Sequence, residues 1–321
     1  MREVRRDPLT GVQVVLSTER PLITPSASGA GALPEDRQCP FCPGHEAATH
    51  ATIAEICEDG VWVARAFANR TPALRVEEPL QRTGHGPYDR TSGTGAHEVI
   101  VECPEHLALH EAPPARVASA LRLARDRLAD LERDTRLAHL VWYRNHGCAA
   151  GASVGHAHAQ VLGLPEVPAR TLAMRSRVEL HLQQRGRPLL QDVIDVEREA
   201  GTRMVWEGER LALLSPWAPE VPFSLWIVPT RAGPAFRAAD DDWIEEAATA
   251  MRVALTGLGR VLGRHAYNAV LHDTPQGRSS GVHWPHLRIL PRLAGQGGFE
   301  LGWGSGMHGM PPDEAARLLR S

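Results

Sequence analysis

The sequence predicts an α+β fold made of two diverged copies of one unit, each a mostly antiparallel sheet with a helix packed across it. One order of apolar strands, amphipathic helix and closing prolines occurs twice within 321 residues. Pro104 and Pro165 in the first copy match Pro229 and Pro291 in the second, 125 and 126 residues later. A hydrophobic content of 43% and a charged content of 23% are typical of a globular chain. The length predicts about two domains.

The first copy reads as strands followed by one helix and two more strands. Apolar, β-rich runs predict strands at 61–67 and 97–102, the second ended by Pro104. Apolar residues at three-to-four spacing predict a helix over 117–131. Two further strands are predicted at 140–143 and 156–162, closed by Pro165.

The second copy repeats this order. Strands are predicted at 210–214 and 224–228, a helix over 243–261 and strands at 267–271 and 283–290, the last closed by Pro291. Residues 166–205 are predicted to connect the copies largely as one helix, and prolines and acids at 311–315 predict the start of a short helix. The stretch from Pro25 to Pro34 is predicted to be a loop. The expected units are therefore 1–165, 166–205 and 206–321.

Composition excludes several kinds of chemistry. All 35 basic residues are arginines, so neither a Schiff-base lysine nor a P-loop lysine is available. Phosphate groups must be bound by arginine, backbone N–H, hydroxyl or histidine. A net charge of -3 with scattered arginines predicts no nucleic-acid partner. No apolar run reaches the roughly 18 residues of a membrane helix, so we expect no membrane association and a cytoplasmic location.

The pair Cys39-Pro40-Phe41-Cys42 indicates a metal site. Two thiolates at this spacing can hold one metal ion from a tight turn, although two unrelated buried cysteines would leave the same pattern. Two more ligands are required, and His106 and His156 are the candidates.

A second cluster, His156-Ala157-His158-Ala159-Gln160, predicts a chemical site. On a strand, alternate residues point to one face, so the two histidines and Gln160 would line up. The small residues of 145–155 precede the cluster and would let backbone N–H groups approach a phosphate. The glycine-rich segment 298–306 either cradles a sugar or phosphate or only makes a turn.

Together these residues resemble the galactose-1-phosphate uridylyltransferase family of the histidine-triad superfamily. The similarity extends over nearly the whole chain and is carried by segments 5–11, 39–44, 68–74, 95–102, 150–153, 298–302 and 312–316. The resemblance implies that both units are histidine-triad-like and that the protein is a homodimer. It also implies an enzyme that moves a nucleoside monophosphate, expected to be UMP, between a nucleotide sugar and a sugar 1-phosphate.

The resemblance implies roles for individual residues. His158 would be the nucleophile that carries the nucleotide, Gln160 and Ser153 would act with it, and the metal would be a structural zinc ion. The zinc ligands implied are Cys39, Cys42, His106 and His156. The substrate-binding residues implied are Asn69 and Arg70 for the nucleotide, Asn145, Gly151, Ser153 and Gln160 for the phosphates, and Phe299 and Glu300 near the sugar.

Three departures from the family pattern bear on specificity. Ala157 replaces the usual proline between the paired histidines, and residues 188–193 lack the second Cys-x-x-Cys of many relatives. In the second copy Pro285 interrupts the family's His-Trp-His, and Arg288 replaces an acid. These changes predict that a second metal site is missing and that the sugar specificity is altered.

Two other functions stay open from the sequence. The same His158 could serve a nucleotide-sugar or dinucleotide phosphorylase or hydrolase, in which inorganic phosphate or water is the acceptor. The chain could also be a non-catalytic, zinc-stabilised nucleotide-binding protein.

Overall fold

The computed structural model describes residues 2–20, 39–278 and 281–320, so the loop predicted between Pro25 and Pro34 lies outside the described residues. The strands, in chain order, are β1 Arg2–Arg6, β2 Gln13–Ser17, β3 Thr52–Glu58, β4 Val61–Ala68, β5 Arg82–His85, β6 Tyr88–Thr91, β7 Ala96–Val101, β8 His139–His146, β9 His158–Leu164, β10 Met204–Glu207, β11 Leu211–Leu214, β12 Leu225–Pro229, β13 Ala266–His272, β14 His286–Arg292 and β15 Gly306–His308. The helices are α1 Pro114–Leu131, α2 Ala169–Arg185, α3 Leu189–Ala200, α4 Asp241–Leu262, α5 Gly298–Trp303 and α6 Pro312–Arg320, with 3-10 turns at Glu46–Ala48, Leu109–Glu111, Cys148–Ala150 and Phe236–Ala238.

One antiparallel sheet of ten strands runs through both copies, in the order β10-β11-β12-β14-β13-β8-β9-β7-β4-β3. Five strands come from each copy, and the copies meet where β13 pairs antiparallel with β8. The α+β class with one sheet unit and one crossing helix per copy is therefore confirmed. The unit boundaries at 165/166 and 205/206 stay predictions.

The helices α1 and α4 pack side by side on one face of this sheet. Their buried residues recur at three-to-four spacing, as predicted, and share one apolar core with the inward side chains of the strands. Asp240 begins α4 because its carboxylate accepts a hydrogen bond from the Trp243 N–H at 2.8 Å. On β9, Ala159 and Val161 point into this core, so His158 and Gln160 lie on the opposite face.

The connector differs from its prediction as largely one helix, because it forms the two helices α2 and α3. Gly186 ends α2 in the left-handed conformation with a φ of 70°, and Pro188 precedes the first turn of α3. Side chains from both helices pack with β11 and β12 in a second apolar cluster, on the sheet face opposite to α4. That face is thus covered in the second copy, whereas in the first copy it carries His158.

Two strand boundaries were predicted wrongly in the same way. β9 begins at His158 rather than at 156, and β14 begins at His286 rather than at 283. β14 also continues through Pro291 to Arg292 instead of closing at the proline. Only Leu287–Ile289 of β14 pair with β12, so Pro291 lies where the strand has a free edge on that side, a position that tolerates proline.

The remaining elements are small. β1, β2 and β15 form a three-stranded sheet, and β5 and β6 form a hairpin. The short helix predicted near 311–315 is α6. Across the described ranges, no helix has both the length and the apolar character needed to cross a bilayer.

A buried ion pair ties α1 to the sheet. The Arg127 guanidinium donates to both carboxylate oxygens of Glu98 at 2.7 Å, and Asp130 approaches it at 3.0 Å. We expect Glu98→Leu alone to lower the free energy of unfolding by about 3 kcal/mol, because it leaves a buried charge with one partner at the helix surface. The double variant Glu98→Leu/Arg127→Leu should recover most of that loss in urea denaturation. A double variant no more stable than Glu98→Leu would show that the cost comes from packing.

Candidate active site

Cys39, Cys42, His106 and His156 converge on one point, with all four ligand atoms within 4.8 Å of one another. The Cys42 Sγ lies 3.5 Å from the Nδ1 atoms of both histidines, and the Cys39 Sγ lies 3.7 Å from the His156 Nδ1. Ligands at zinc–sulfur and zinc–nitrogen distances of about 2.3 and 2.1 Å, in tetrahedral geometry, would stand about 3.6 Å apart. The four residues predicted from the sequence can therefore hold one tetrahedral metal ion.

The protein orients His156 for this role. Its Nε2–H donates to the Cys103 carbonyl at 2.8 Å, which leaves the Nδ1 lone pair facing the two thiols. A ring nitrogen fixed by a backbone carbonyl is the usual arrangement around a metal-binding histidine. The prediction that His156 belongs to the strand is wrong. His156 lies in the bend before β9, and this bend turns its ring toward the cysteine pair.

His158 is held as a neutral imidazole with a fixed tautomer. Its Nδ1 lies 2.8 Å from the His156 carbonyl, and because a carbonyl only accepts, Nδ1 carries the proton and Nε2 carries the lone pair. The side chain is 6% exposed, and burial lowers its pKa to about 4, with nearby Arg144 acting in the same direction. The ring of Phe41, between the two cysteines, packs against His158 at 5.2 Å between centroids. The imidazole therefore has a lone pair on Nε2 at neutral pH without losing a proton.

A buried arginine supports the backbone of His158. Arg144 forms an ion pair with Glu102, both almost fully buried, and its Nε donates to the Tyr267 hydroxyl at 2.9 Å. The same guanidinium lies 3.5 Å from the His158 carbonyl. Because Tyr267 comes from β13, the second copy helps to position His158 of the first.

Gln160 is oriented by donors that converge on its side-chain carbonyl. The Tyr143 hydroxyl donates to Oε1 at 2.9 Å, and the His97 Nε2–H does so at 2.7 Å. The His97 tautomer follows from its Nδ1, which accepts the Ala73 N–H at 3.1 Å. With Oε1 occupied, the NH₂ group of Gln160 remains as a donor for a phosphate oxygen.

The structure places Asn69 beside Gln160, with its amide nitrogen 3.5 Å from Oε1. The backbone N–H of Asn69 donates to the His97 carbonyl at 2.8 Å, and its Oδ1 accepts the Thr71 N–H at 2.9 Å. Arg70 follows on the same loop but is exposed, and its nearest polar contact is the Ala48 carbonyl at 3.5 Å. Asn69 is thus joined to the His158 face, and the binding role of Arg70 stays a prediction.

The loop before His158 forms a closed turn. The backbone N–H groups of Ala150, Gly151 and Ala152 donate to carbonyls at 147 and 148, so these three amides are not free for a phosphate as the small residues suggested. Gly151 is required for its backbone, which has a φ of 88°. Ser153 is exposed just after the turn, and Asn145 lies at the end of β8 on the side of Gln160.

The predicted role of Phe299 and Glu300 near the sugar stays a prediction. Both lie on α5, where the Glu300 carboxylate accepts the Gly297 N–H at 3.0 Å and the Phe299 ring stacks on Trp303 at 6.0 Å. Within the described residues, no hydrogen bond or ring contact links either side chain to the His158 face. Residues 298–303 of the glycine-rich segment form a short helix capped by Glu300, and whether the segment also contacts a sugar stays open.

A cavity of about 550 Å³ opens between Tyr143 and Asn145 of β8 and the neighbouring strands β13 and β14. This volume is typical of sites for small molecules. Tyr143 and His97 were not singled out from the sequence, although both contact Gln160. Both lie on strands that flank β9, and the signal that would have identified them is the strand register.

The second copy holds a counterpart of His158 in His286. Its Nδ1 lies 3.3 Å from the Trp284 carbonyl, as the Nδ1 of His158 does from the His156 carbonyl, but its ring is stacked on His272 at 4.8 Å. Burial lowers its pKa to about 3, and its Nε2 has no hydrogen-bond partner among the described residues. Nearby His283 faces Glu179 at 3.3 Å rather than a cysteine pair. The His286 ring is therefore enclosed by neighbouring side chains in the core.

Comparison with known proteins places this site in a family. Residues 1–168 match the family described as galactose-1-phosphate uridyl transferase, N-terminal domain. An ADP-glucose phosphorylase of Arabidopsis thaliana is 27% identical over 99% of this chain and 92% of its own length. A galactose-1-phosphate uridylyltransferase of Thermotoga maritima is 24% identical over the whole chain and 98% of its own.

A solved structure has the same fold from end to end. It is the crystal structure of an ADP-glucose phosphorylase from Arabidopsis thaliana with bound ADP-glucose, 25% identical, with a TM-score of 0.83 over all of this chain and 98% of that one. The match of the family domain covers more than half of the chain, including every proposed metal ligand, His158 and Gln160. The chain therefore belongs to the galactose-1-phosphate uridylyltransferase family of nucleotidyltransferase-type enzymes.

Proposed function

We propose that the protein transfers a nucleoside monophosphate from a nucleoside diphosphate sugar to a phosphate-bearing acceptor through a covalent nucleotidyl-His158 intermediate. The observation that carries this proposal is the tautomer of His158. Its proton is held on Nδ1 by the His156 carbonyl at 2.8 Å, so a neutral Nε2 lone pair faces the side of the sheet that carries Gln160.

The reaction divides into two displacements at the α-phosphorus. In the first, Nε2 of His158 forms a bond to phosphorus while the bond to the bridging oxygen breaks, and the sugar 1-phosphate leaves with that electron pair. In the second, a phosphate oxygen of the acceptor attacks the same phosphorus, and the electron pair of the P–N bond returns to Nε2. The NH₂ group of Gln160 donates to the phosphoryl oxygens during both steps, as positioned donors do in other phosphoryl transfers.

We propose zinc as the ion for Cys39, Cys42, His106 and His156. Two thiolates and two imidazoles in tetrahedral array are a common zinc set, and four protein ligands leave no open position for substrate. Zinc bound there would cross-link the cysteine turn to the bend at His156. Because the carbonyl of that same residue holds His158, the ion would stabilise the nucleophile's position without entering the chemistry.

Two acceptors remain, and each has a specific observation in its favour. A sugar 1-phosphate, with UMP as the transferred group, is the pairing that the name of the Thermotoga maritima relative indicates. Inorganic phosphate, with AMP as the transferred group, is favoured by the ADP-glucose phosphorylase relative, whose similarity extends over 99% of this chain. His158 and Gln160 serve both reactions equally.

A label-exchange experiment tests the proposed function and separates these acceptors. UDP-glucose, ADP-glucose or another nucleoside diphosphate glucose is mixed with labelled glucose 1-phosphate and no other acceptor. A covalent intermediate predicts that label enters the nucleotide sugar. Galactose 1-phosphate or inorganic phosphate is then added, and formation of a new nucleotide sugar or of a nucleoside diphosphate identifies the acceptor. Net transfer without any exchange would contradict the covalent route.

Loss of one hydrogen bond that orients Gln160 is expected to lower the activity moderately. Tyr143→Phe removes the hydroxyl that donates to Oε1 at 2.9 Å and leaves the ring in place. Since one such hydrogen bond contributes about 1 kcal/mol, we expect kcat/KM to fall roughly fivefold. Tyr88→Phe, on the exposed hairpin, is the matched control and should be unchanged. Equal values for Tyr143→Phe and the parent protein would show that the hydroxyl does not orient Gln160.

A further inference from the structure

The cavity beside the His158 face has one wall from each copy. The first copy contributes Tyr143, Asn145 and the turn at Ala150, and the second contributes Asn268 on β13 and Arg292 on β14. Neither of the two second-copy residues belongs to the set that family resemblance implied. Asn268 and Arg292 thus face, across one cavity, residues that the first copy supplies.

Asn268 connects Arg292 to the turn before His158. The Arg292 Nε donates to the Asn268 Oδ1 at 2.5 Å. The Nδ2 of Asn268 donates in turn to the Asn145 Oδ1 at 2.8 Å and to the Ala150 carbonyl at 2.9 Å. The guanidinium is thus fixed through one residue to the loop that leads to His158. Among the described residues, its two terminal nitrogens have no hydrogen-bond partner.

Arg292 carries a charge that the described residues do not neutralise by direct contact. No carboxylate among them lies within 4.0 Å of its guanidinium, although most partly buried arginines here have such a partner. The carboxylate of Glu220, whose charge acts on Arg292, is engaged by Arg170 and by Arg288, the latter at 2.9 Å. A half-buried guanidinium without a carboxylate partner is suited to an anionic ligand.

The strand register places Arg292 on the same sheet face as His158, three strands away. Tyr143 pairs with Gln160, and Asn145 and His158 each lie two residues further along in the same direction. Asn145 pairs with Asn268 across the junction of the copies. With adjacent strands about 4.8 Å apart, Asn268 lies about 10 Å from His158. The guanidinium bonds to Asn268 and lines the same cavity as Tyr143 and Asn145. A diphosphate bound to Gln160 would extend in this direction.

We propose that Arg292, aligned by Asn268, binds the phosphate of the sugar 1-phosphate that leaves His158 and of the acceptor that replaces it. The inference rests on the proposed function and assigns its second phosphate subsite. The ligand class is a phosphate monoester or inorganic phosphate, whose dianion accepts two parallel hydrogen bonds from a guanidinium. The second copy would thereby supply the acceptor side of a site whose nucleophile belongs to the first.

Calorimetric binding of glucose 1-phosphate, with inorganic phosphate as a separate arm, tests the subsite without requiring turnover. Arg292→Gln should weaken binding by roughly 10- to 100-fold, the effect of losing charge-assisted hydrogen bonds. Arg292→Lys, which keeps the charge but not the planar fork, should recover part of the affinity. The matched control is Arg264→Gln, at an exposed position just before β13, and this variant should bind like the parent protein.

The same variants are then compared in the two displacement steps, formation of nucleotidyl-His158 from the donor and transfer of the nucleotide to the acceptor. We expect the KM for the acceptor to rise with Arg292→Gln while the amount of nucleotidyl-His158 formed at saturating donor is retained. Equal affinity in Arg292→Gln and the parent protein, or no binding of either anion to the parent protein, would overturn the subsite. Absence of the nucleotidyl adduct in the parent protein would instead overturn the proposed function, and the binding arms would still decide the subsite. If Arg292→Gln does not fold, Arg292→Lys and Asn268→Ala decide it.

Discussion

Replacing His158 by glutamine is expected to lower kcat by at least about 10⁴-fold while the fold is retained. Loss of a covalent nucleophile commonly has effects of this size, because the remaining groups bind and orient the substrate but form no bond to it. Glutamine keeps a side-chain nitrogen that can donate to the His156 carbonyl but offers no nucleophilic lone pair. The measurement is the rate of nucleotidyl transfer with the donor and acceptor found in the exchange experiment.

His286→Gln is the matched control for this loss. Both histidines are buried and bond through Nδ1 to a backbone carbonyl, so the two substitutions make similar demands on the fold. We expect His286→Gln to lower the melting temperature but to keep kcat within a few-fold of the parent value. If both variants lost activity equally, the effect of His158→Gln would have to be attributed to damage of the fold.

The second large effect is expected from removal of the metal. Cys42→Ser takes away the thiol that lies 3.5 Å from both His106 and His156. The bound zinc should fall from one ion per chain to nearly none, and the melting temperature should drop by about 10 °C, since several kcal/mol of metal binding are coupled to folding. Activity should fall with it, because the released bend carries the carbonyl that fixes His158.

Cys57→Ser is the control for thiol chemistry in general, since Cys57 is exposed on β3 and distant in sequence from the ligand pair. It should retain both the metal and the melting temperature. A chelator should reproduce the effect of Cys42→Ser in the parent protein and add nothing to the variant. A Cys42→Ser protein that kept a full equivalent of zinc would contradict the assignment of these ligands.

Local patterns predicted the parts of this fold that are decided locally. The spacing of apolar residues located α1 and α4, and the repeated order of elements predicted the two related sheet units. Pairing across the sheet could not be predicted in the same way, since it depends on residues far apart in sequence. The boundary between α2 and α3 was missed because Gly186 acts through a backbone conformation that the helical pattern on both sides does not reveal.

The candidate site shows the same division. The cysteine pair and the His-x-His-x-Gln segment are short motifs, and the structure brings Cys39, Cys42, His106 and His156 together as expected. The motif does not lie on one strand face, because the chain bends at His156 so that its ring can face the thiols. Tyr143 and His97 come from the strands that flank β9, and the register of the ten-stranded sheet shows that they lie beside Gln160.

Intact-protein mass spectrometry after brief mixing with a nucleoside diphosphate sugar shows whether His158 carries the nucleotide. UDP-glucose and ADP-glucose are used in separate samples, beside His158→Gln and His286→Gln. We predict that the parent protein and His286→Gln gain the mass of one nucleoside monophosphate, that His158→Gln gains nothing, and that peptide mapping locates the added mass on His158. Turnover of a donor without any adduct, or an adduct that persists in His158→Gln, would contradict the proposed nucleotidyl-His158 intermediate.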